Sequence, residues 1–411
     1  MSDELDELDE IEDATDEDRI SGSFRITENT GYCAFPVGGD TYRGCAHNCL
    51  YCYERQTQNQ HLRKGGNVPY PRDFRGLFQS LYDKVDTRYF AIEKKIPVQI
   101  GTVSDPFQPI EPKLKVTYNL LKLFAQSGLC ALISTKAPHL ITDEYIKYIL
   151  ETKSVVKVSF STFDDAKARV LEPGAIPPSR RIKELKRIKD AGVKTVVRID
   201  PMLPETDYDF DFFSDACNGI TIEPFRYSVA WRHSFPIKFW EAVSGEDAPK
   251  DGGENKKGTP LRKWVERVEK GFFAPWRSDD IPYHSDGYHW VLIDPYILRK
   301  IYGEYRAECE KRGLTFGVCS FGYGVHNIDL NENPYCCCVD KTIGYDKSAL
   351  VPQWFKDKWQ GMHIPIMDDL YLNLALERII YANAPSYAPI ALDKETDESY
   401  LVNQDWKERG G

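Results

Sequence analysis

Val155-Val156-Lys157-Val158-Ser159-Phe160, then Pro178-Ser179 opening a segment with Ile182, Leu185 and Ile188, then Thr195-Val196-Val197-Arg198-Ile199: this stretch decides the fold class. The two β-branched runs read as strands buried on both faces. The segment between them repeats its apolar residues every three to four positions, starts at a proline and closes at Gly192, which reads as a helix. Working outward, Val98-Gln99-Ile100-Gly101 is a strand, followed by a helix with Leu120, Leu121 and Phe124 ahead of Gly128. Cys130-Ala131-Leu132-Ile133 is the next strand, and Thr142 can cap a helix carrying Tyr145, Ile146 and Ile149. Gly219–Ile222 closes the series. Strand starts fall about 25–40 residues apart, the length of a strand–helix unit. Repeated units of this kind predict an α/β fold, a parallel sheet with helices outside it. The alternation fits an open sheet and a barrel equally.

The flanks differ from this middle. Residues 1–18 hold eleven of the 63 carboxylates and no Lys or Arg. The formal charge of −10 therefore belongs to that segment, and from Arg19 onward 53 basic residues face 52 acidic ones. Like charges at this density repel, so residues 1–22 read as an acidic disordered tail; a partner-binding or DNA-mimicking arm is the functional alternative. Residues 243–260 are polar and rich in Gly, Lys and Asp, a loop or junction. An aromatic-rich C-terminal region follows, with Trp264, Trp276, Trp290, Trp354 and Trp359. The expected division is a tail (1–22), a strand–helix domain (23–230) and a C-terminal region (231–411). A hydrophobic content of 42% excludes a mainly disordered chain. No 18-residue apolar run spans a bilayer, and an acidic N-terminus is unlike a signal peptide. Eleven cysteines in a chain not expected to be exported point to metal or redox chemistry.

Cys45-Ala46-His47-Asn48-Cys49-Leu50-Tyr51-Cys52 is the strongest chemical signal. Three thiols on one loop can converge on one metal centre. Iron–sulfur clusters normally take four cysteines, so a cubane on three keeps one iron open to a small molecule. A zinc knuckle using His47 and chance spacing are the alternatives. This C-x3-C-x2-C run, with Tyr51 before the third cysteine, resembles the radical S-adenosylmethionine (SAM) superfamily. The wider string Tyr42-Arg43-Gly44-Cys45 through Tyr51-Cys52-Tyr53 resembles its spore photoproduct lyase-like branch. So do Gly101-Thr102-Val103-Ser104-Asp105-Pro106-Phe107-Gln108-Pro109-Ile110-Glu111, Ser134-Thr135-Lys136 and Leu171-Glu172-Pro173-Gly174.

The resemblance implies a partial (β/α)6 barrel with a C-terminal cysteine-bearing extension. It implies that Cys45, Cys49 and Cys52 ligate a [4Fe–4S] cluster whose open iron is chelated by SAM. Tyr51 then packs near the adenine, Ser104 and Asp105 reach the methionine moiety, and Lys136 pairs with the SAM carboxylate. Ser159 or Ser161 contacts the ribose or the carboxylate. The plainer readings are a solvated Lys136 and a simple turn at Ser104-Asp105-Pro106. Asp200 and Glu223, each before a proline at a strand end, are candidate site carboxylates or turn residues, and Glu172 a residue shaping the barrel rim. One departure bears on substrate: spore photoproduct lyase carries a hydrogen-donating cysteine two residues before its Ser-Asp-Pro string, and this chain has Thr102. A hydroxyl is a far poorer hydrogen-atom donor than a thiol.

A second group, Cys319, Cys336, Cys337 and Cys338 with Cys309 as a further partner, suits an auxiliary iron–sulfur cluster, a structural zinc site, or packing. Cys130 and Cys217 lie in or beside strand patterns and read as core; Cys33 stays unassigned. The basic run Arg180, Arg181, Lys183, Lys186, Arg187, Lys189 reads as a solvated face of an outer helix. The expected function is SAM cleavage and hydrogen abstraction. The leading substrate is a thymine-derived base or nucleotide in DNA, with modification favoured over dimer repair. The alternatives are a peptide or small metabolite, a non-catalytic iron–sulfur module, and a zinc-ribbon nucleic-acid binder. A flavodoxin or ferredoxin as reductant, a cytoplasmic location and no membrane association complete the expectations.

Overall fold

A computed structural model describes residues 22–26, 35, 37–52, 68–81, 97–203, 209–228, 235–250, 253, 255–277, 289–293 and 295–318. Cys33, Cys319, Cys336, Cys337, Cys338 and the acidic segment lie outside them. In chain order the strands are β1 (Arg25–Ile26), β2 (Val37–Gly39), β3 (Tyr42–Arg43), β4 (Tyr70–Pro71), β5 (Val98–Ile100), β6 (Ala131–Thr135), β7 (Val155–Phe160), β8 (Lys194–Met202), β9 (Gly219–Pro224), β10 (Arg226–Ser228), β11 (Phe273–Arg277), β12 (His289–Ile293) and β13 (Thr315–Val318). The α-helices are α1 (Phe74–Gln79), α2 (Glu111–Leu114), α3 (Val116–Ser127), α4 (Asp143–Glu151), α5 (Asp165–Leu171), α6 (Pro178–Asp190), α7 (Phe210–Phe213), α8 (Ile237–Ser244), α9 (Pro260–Phe272) and α10 (Pro295–Lys311).

Seven strands run parallel in the order β2-β5-β6-β7-β8-β9-β13, and β1 is antiparallel on the β2 edge. This is the expected α/β architecture, a parallel sheet of the partial-barrel kind. The run that decided the reading is β7, buried throughout. Its register explains why the two sheet faces differ. Ile133, Val156, Val158, Phe160, Val197, Ile199, Ile220 and Ile222 alternate onto one face and join the core that includes Leu185 and Ile188 of α6. Ser134, Lys157, Ser159, Arg198 and Thr221 alternate onto the other. Leu132, Val155 and Val196 share that face nearer the strand starts, so the branched apolar layers usual in a barrel give way to polar residues toward the strand C-termini.

Several boundaries moved for identifiable reasons. Gly101 is not strand: its φ of +85° turns the chain, and a Cβ there would meet the Ser134 carbonyl oxygen at 2.4 Å. Thr142 takes the N-cap position of α4 with extended backbone but makes no side-chain cap bond. Pro178 at the start of α6 and left-handed Gly128 and Gly192 after α3 and α6 behave as the pattern requires. β13 comes from beyond residue 231 and pairs in parallel with β9, which the sequence pattern did not disclose. β10, β12 and β11 form a separate three-stranded antiparallel sheet. Among the described residues no helix is long and apolar enough to cross a membrane.

Candidate active site

The cysteine loop leaves β3 and turns at Gly44 (φ +85°) and Asn48 (φ +52°). Two neighbouring segments strap it down. From the segment after β5, Gln108 accepts the Ala46 N–H at 3.0 Å and donates to the carbonyls of Gly44 (3.3 Å) and Asp105 (3.0 Å). Leu171, the last residue of α5, accepts the Leu50 N–H (2.8 Å), and in the segment after it Gly174 donates its N–H to the His47 carbonyl (3.0 Å). The approach is so close that a Cβ on Gly174 would sit 2.1 Å from the Ala46 carbonyl oxygen. That accounts for the glycine of the Leu-Glu-Pro-Gly string.

Two buried carboxylates organise the rest. Asp105 contacts His47 Nε2 at 2.9 Å and accepts the Thr135 hydroxyl (2.7 Å) and the N–H groups of Lys136 (2.6 Å) and Phe107 (2.8 Å). Burial alone would push the His47 imidazole down, but the Asp105 carboxylate, with Cys45 and the Gly174 carbonyl adding to it, raises it to about 9. The Asp105 carboxyl is held low by the same partner, against the opposing pull of burial. Beside it in the chain, Ser104 donates its hydroxyl to the Tyr42 carbonyl at 2.6 Å. Asp40 in turn accepts the N–H groups of Val103 (2.8 Å) and Ser104 (3.0 Å) and the Thr102 hydroxyl (2.9 Å).

The second carboxylate is Glu172. Its Oε1 accepts the hydroxyls of Tyr51 and, at 2.9 Å, Ser161, and faces Lys136 Nζ at 3.6 Å; its Oε2 pairs with Arg181. Burial opposes ionisation here too, yet Arg181 and then Lys136 bring the carboxyl down to about 2. Lys136 Nζ also donates to the Asp200 carbonyl (3.3 Å) and lies 5.7 Å from the centre of the Tyr51 ring. Tyr51, Lys136 and Ser161 thus meet at one oxygen. Ser104 and Asp105 meet the cysteine loop, and Ser159, buried on the polar sheet face, offers its carbonyl to Arg181 at 2.8 Å.

Cys45, Cys49 and Cys52 are free thiols on one loop. Burial pushes the Cys49 thiol well up; Lys136 opposes this, and Glu172, Cys45 and Cys52 add to it. Thiols gathered and buried this way ionise together only with a cation among them. Among the described residues no three His, Cys, Asp or Glu side chains are placed to share a single metal ion. A cubane instead takes one thiolate per iron, which suits ligands spread along a loop. Asn48 Oδ1, buried in the same loop, accepts no hydrogen bond from the protein, leaving an acceptor for a donor that the chain does not supply. The residues fit an iron–sulfur cluster and a small polar ligand beside it.

The remaining candidates are placed differently, with only the Asp200 carbonyl reaching Lys136. Asp200 and Glu223 both reach Arg198, at 3.0 and 2.5 Å, and Glu223 also reaches Arg226 at 3.5 Å; they line the polar face as an ion-pair network. Cys217 and Cys309 are buried in the core, and burial raises the Cys130 thiol to about 12. The basic helix is not simply a solvated face. Arg181 is buried, Arg187 donates to the Ile141 carbonyl (2.6 Å), and Lys189 donates to the carbonyls of Asp215 (2.9 Å) and Cys217 (2.8 Å). Sequence reasoning missed the site roles of His47, Gln108 and Arg181, and the central place of Glu172. Gln108 follows the Ser-Asp-Pro string directly after Phe107, so its position was within reach. Arg181 carried no signal, because nine positions from Glu172 it matches no helical spacing.

Residues 40–216 match the family model described as the Radical SAM superfamily. Among curated relatives, an uncharacterized protein of Methanocaldococcus jannaschii is 25% identical over 165 residues, 40% of this chain and 59% of that one. An uncharacterized protein of Mycobacterium bovis is 29% identical over 178 residues, 40% of this chain and 48% of that one. The chain spans about half the length of the curated relatives it matches. Among solved structures, a spore photoproduct lyase mutant with dinucleoside spore photoproduct aligns at 14% identity and a TM-score of 0.47, covering 71% of this chain and 78% of that one. Streptococcus suis SuiB bound to S-adenosylmethionine aligns at 16% and 0.32, covering 47% and 41%.

Proposed function

With residues 40–216 belonging to the radical SAM superfamily, we propose that the chain is an enzyme that cleaves SAM reductively and abstracts hydrogen from a substrate. The observation that carries this reading is the strapping of a three-thiol loop to the segment after β5 and to the end of α5 and the residues that follow it, with the Lys136 ammonium beside the Tyr51 ring of that loop. A scaffold for a bare cluster needs no such cation. When bound, the [4Fe–4S] cluster supplies the single electron that splits SAM into methionine and a 5′-deoxyadenosyl radical. Cys45, Cys49 and Cys52 hold that cluster, Lys136 binds the SAM carboxylate, and Tyr51 packs along the adenine. Ser159 reaches the ribose or carboxylate from the polar sheet face. Ser104, Asp105 and Ser161, whose polar atoms already bond within the protein, line the methionine end and fix its shape.

The substrate we favour is a thymine-derived base or nucleotide in DNA, on the strength of the motif resemblance, and the reaction a modification. Thr102 supports modification over repair: where a thiol would return hydrogen to the product, this side chain is a hydroxyl tied to Asp40. Cys319, Cys336, Cys337 and Cys338 are proposed to hold an auxiliary iron–sulfur cluster. A flavodoxin or ferredoxin supplies the electron, and an oxygen-labile cluster calls for a reducing compartment such as the cytoplasm. Anaerobic purification with iron and sulfide counting, then dithionite plus SAM, tests the reading. About four irons are expected for one cubane and about eight for two, with 5′-deoxyadenosine formed. Iron without 5′-deoxyadenosine would leave a non-catalytic module, and zinc alone would leave a nucleic-acid-binding ribbon.

A further inference from the structure

Glu172 carries more contacts than a rim residue needs, and they are sorted by oxygen. Oε2 faces the fold: it pairs with Arg181, whose other nitrogens donate to the carbonyls of Ile176 (Nε, 2.7 Å) and Ser159 (Nη1, 2.8 Å). The guanidinium also lies 5.6 Å from the centre of the Phe160 ring. Arg181, on α6, is therefore fixed at three points by Glu172 at the end of α5, the loop before α6 and β7. Oε1 faces the site, where Tyr51, Ser161 and Lys136 converge from three different segments. Burying a carboxylate against one arginine already satisfies the electrostatics of the fold. Nothing in that requirement aims the second oxygen at a lysine.

Lys136 shows what the aim accomplishes. An ammonium has three donors. The Asp200 carbonyl takes one of them at 3.3 Å, and Glu172 Oε1, at 3.6 Å, holds the ammonium as an ion pair beyond hydrogen-bond length. The side chain keeps 12% of its surface exposed, which leaves an ammonium donor to offer an anionic ligand. A lysine on a flexible four-carbon stem does not hold such a pose alone.

We propose that Glu172, pinned by Arg181, is a positioning residue that holds Lys136 and Tyr51 in the one arrangement from which Lys136 meets the SAM carboxylate. The inference rests on the SAM site proposed above. It is tested on the full chain, reconstituted anaerobically, with three readouts: iron content, SAM Kd by equilibrium dialysis, and the change that SAM makes in the electron paramagnetic resonance spectrum of the reduced cluster. Lys136→Met and Glu172→Gln are each expected to keep their iron and weaken SAM about tenfold, and the double variant to be no weaker than either single one, because the two act as one unit. Multiplying losses would overturn the proposal, as would loss of iron from Glu172→Gln. A Glu172→Met, Arg181→Met pair separates fold from function, since apolar replacement of a buried ion pair is often near neutral in stability, and its melting temperature and iron content report whether the carbonyls and hydroxyls that the pair served can do without it. Positioning predicts a stable, iron-loaded protein with weak SAM binding and a spectrum unmoved by SAM; wild-type affinity in that variant would reduce Glu172 to a structural role. Wild-type affinity in Lys136→Met would instead overturn the assignment of Lys136 itself, and unbound SAM in the wild type the whole site reading.

Discussion

At the scale of single residues, the cysteine loop is held by backbone contact as much as by side chains. Gly174 is the sharpest case, because the obstruction to any larger residue is the Ala46 carbonyl oxygen, at 2.1 Å from a Cβ, with the His47 Cα at 2.8 Å. Backbone atoms cannot rotate aside, so Gly174→Ala must push the loop away from its strap. Overpacking of this kind costs about 1–3 kcal/mol, and here the displacement falls on Ala46, next to the first proposed ligand. Reconstituted Gly174→Ala should hold well under half the wild-type iron and melt lower. Full iron at the wild-type melting temperature would show that the loop tolerates the shift. The thiols were legible in the sequence because three identical, reactive residues seldom fall at such short spacing by chance. The carboxylates that serve them were harder to place. Glu172 read as a rim residue because its partners Lys136 and Arg181 are gathered by the fold, 36 positions before it and nine after.

Between elements, the Glu172–Arg181 pair ties the end of α5 to α6 and, through the Ser159 carbonyl, to β7. Its contribution to stability has a definite pH signature. The Glu172 carboxyl sits at about 2 in the fold against an ordinary 4.5, because Arg181 and Lys136 overcome the effect of burial. A folded value below the unfolded one means that the unfolded chain takes up the proton first. The stabilisation is complete above about pH 4.5 and disappears as the pH falls toward 2. In urea melts, wild type should lose stability across that window more steeply than Glu172→Gln, which has no proton to gain there; parallel curves would mean that the pair does not hold these elements together. The elements themselves varied in legibility. β7 and β8 are long β-branched runs, and α6 is marked by a proline at its start and a glycine beyond its end. β13 is four residues long with Gly317 inside it, and short strands on a sheet edge leave little periodic trace. The change from an apolar to a polar sheet face was written in Lys157, Ser159 and Arg198, yet it takes the observed register to align them.

For the whole molecule, charge separates what is needed from what is attached. The eleven carboxylates of residues 1–18 account for the net −10, and the remainder sits near neutrality. The proposed site takes its charges from Lys136, Asp105, Glu172, His47 and Arg181, which are closely paired with one another. Buried pairs of this kind answer first to their own partners, and salt screens exposed charges beyond about 8 Å at 0.15 M ionic strength. A chain lacking residues 2–18 should therefore load the same iron, bind SAM with the same Kd and form 5′-deoxyadenosine at the same rate at that ionic strength. Its behaviour toward polyanions should change instead. With the net charge moved from −10 to near +1, single-stranded DNA should be retained more strongly at low salt, and the gain should vanish as salt rises. Unchanged retention would deprive the acidic segment of any electrostatic part in substrate access. A fall in iron or in SAM cleavage would place the segment within the catalytic apparatus, against the charge argument.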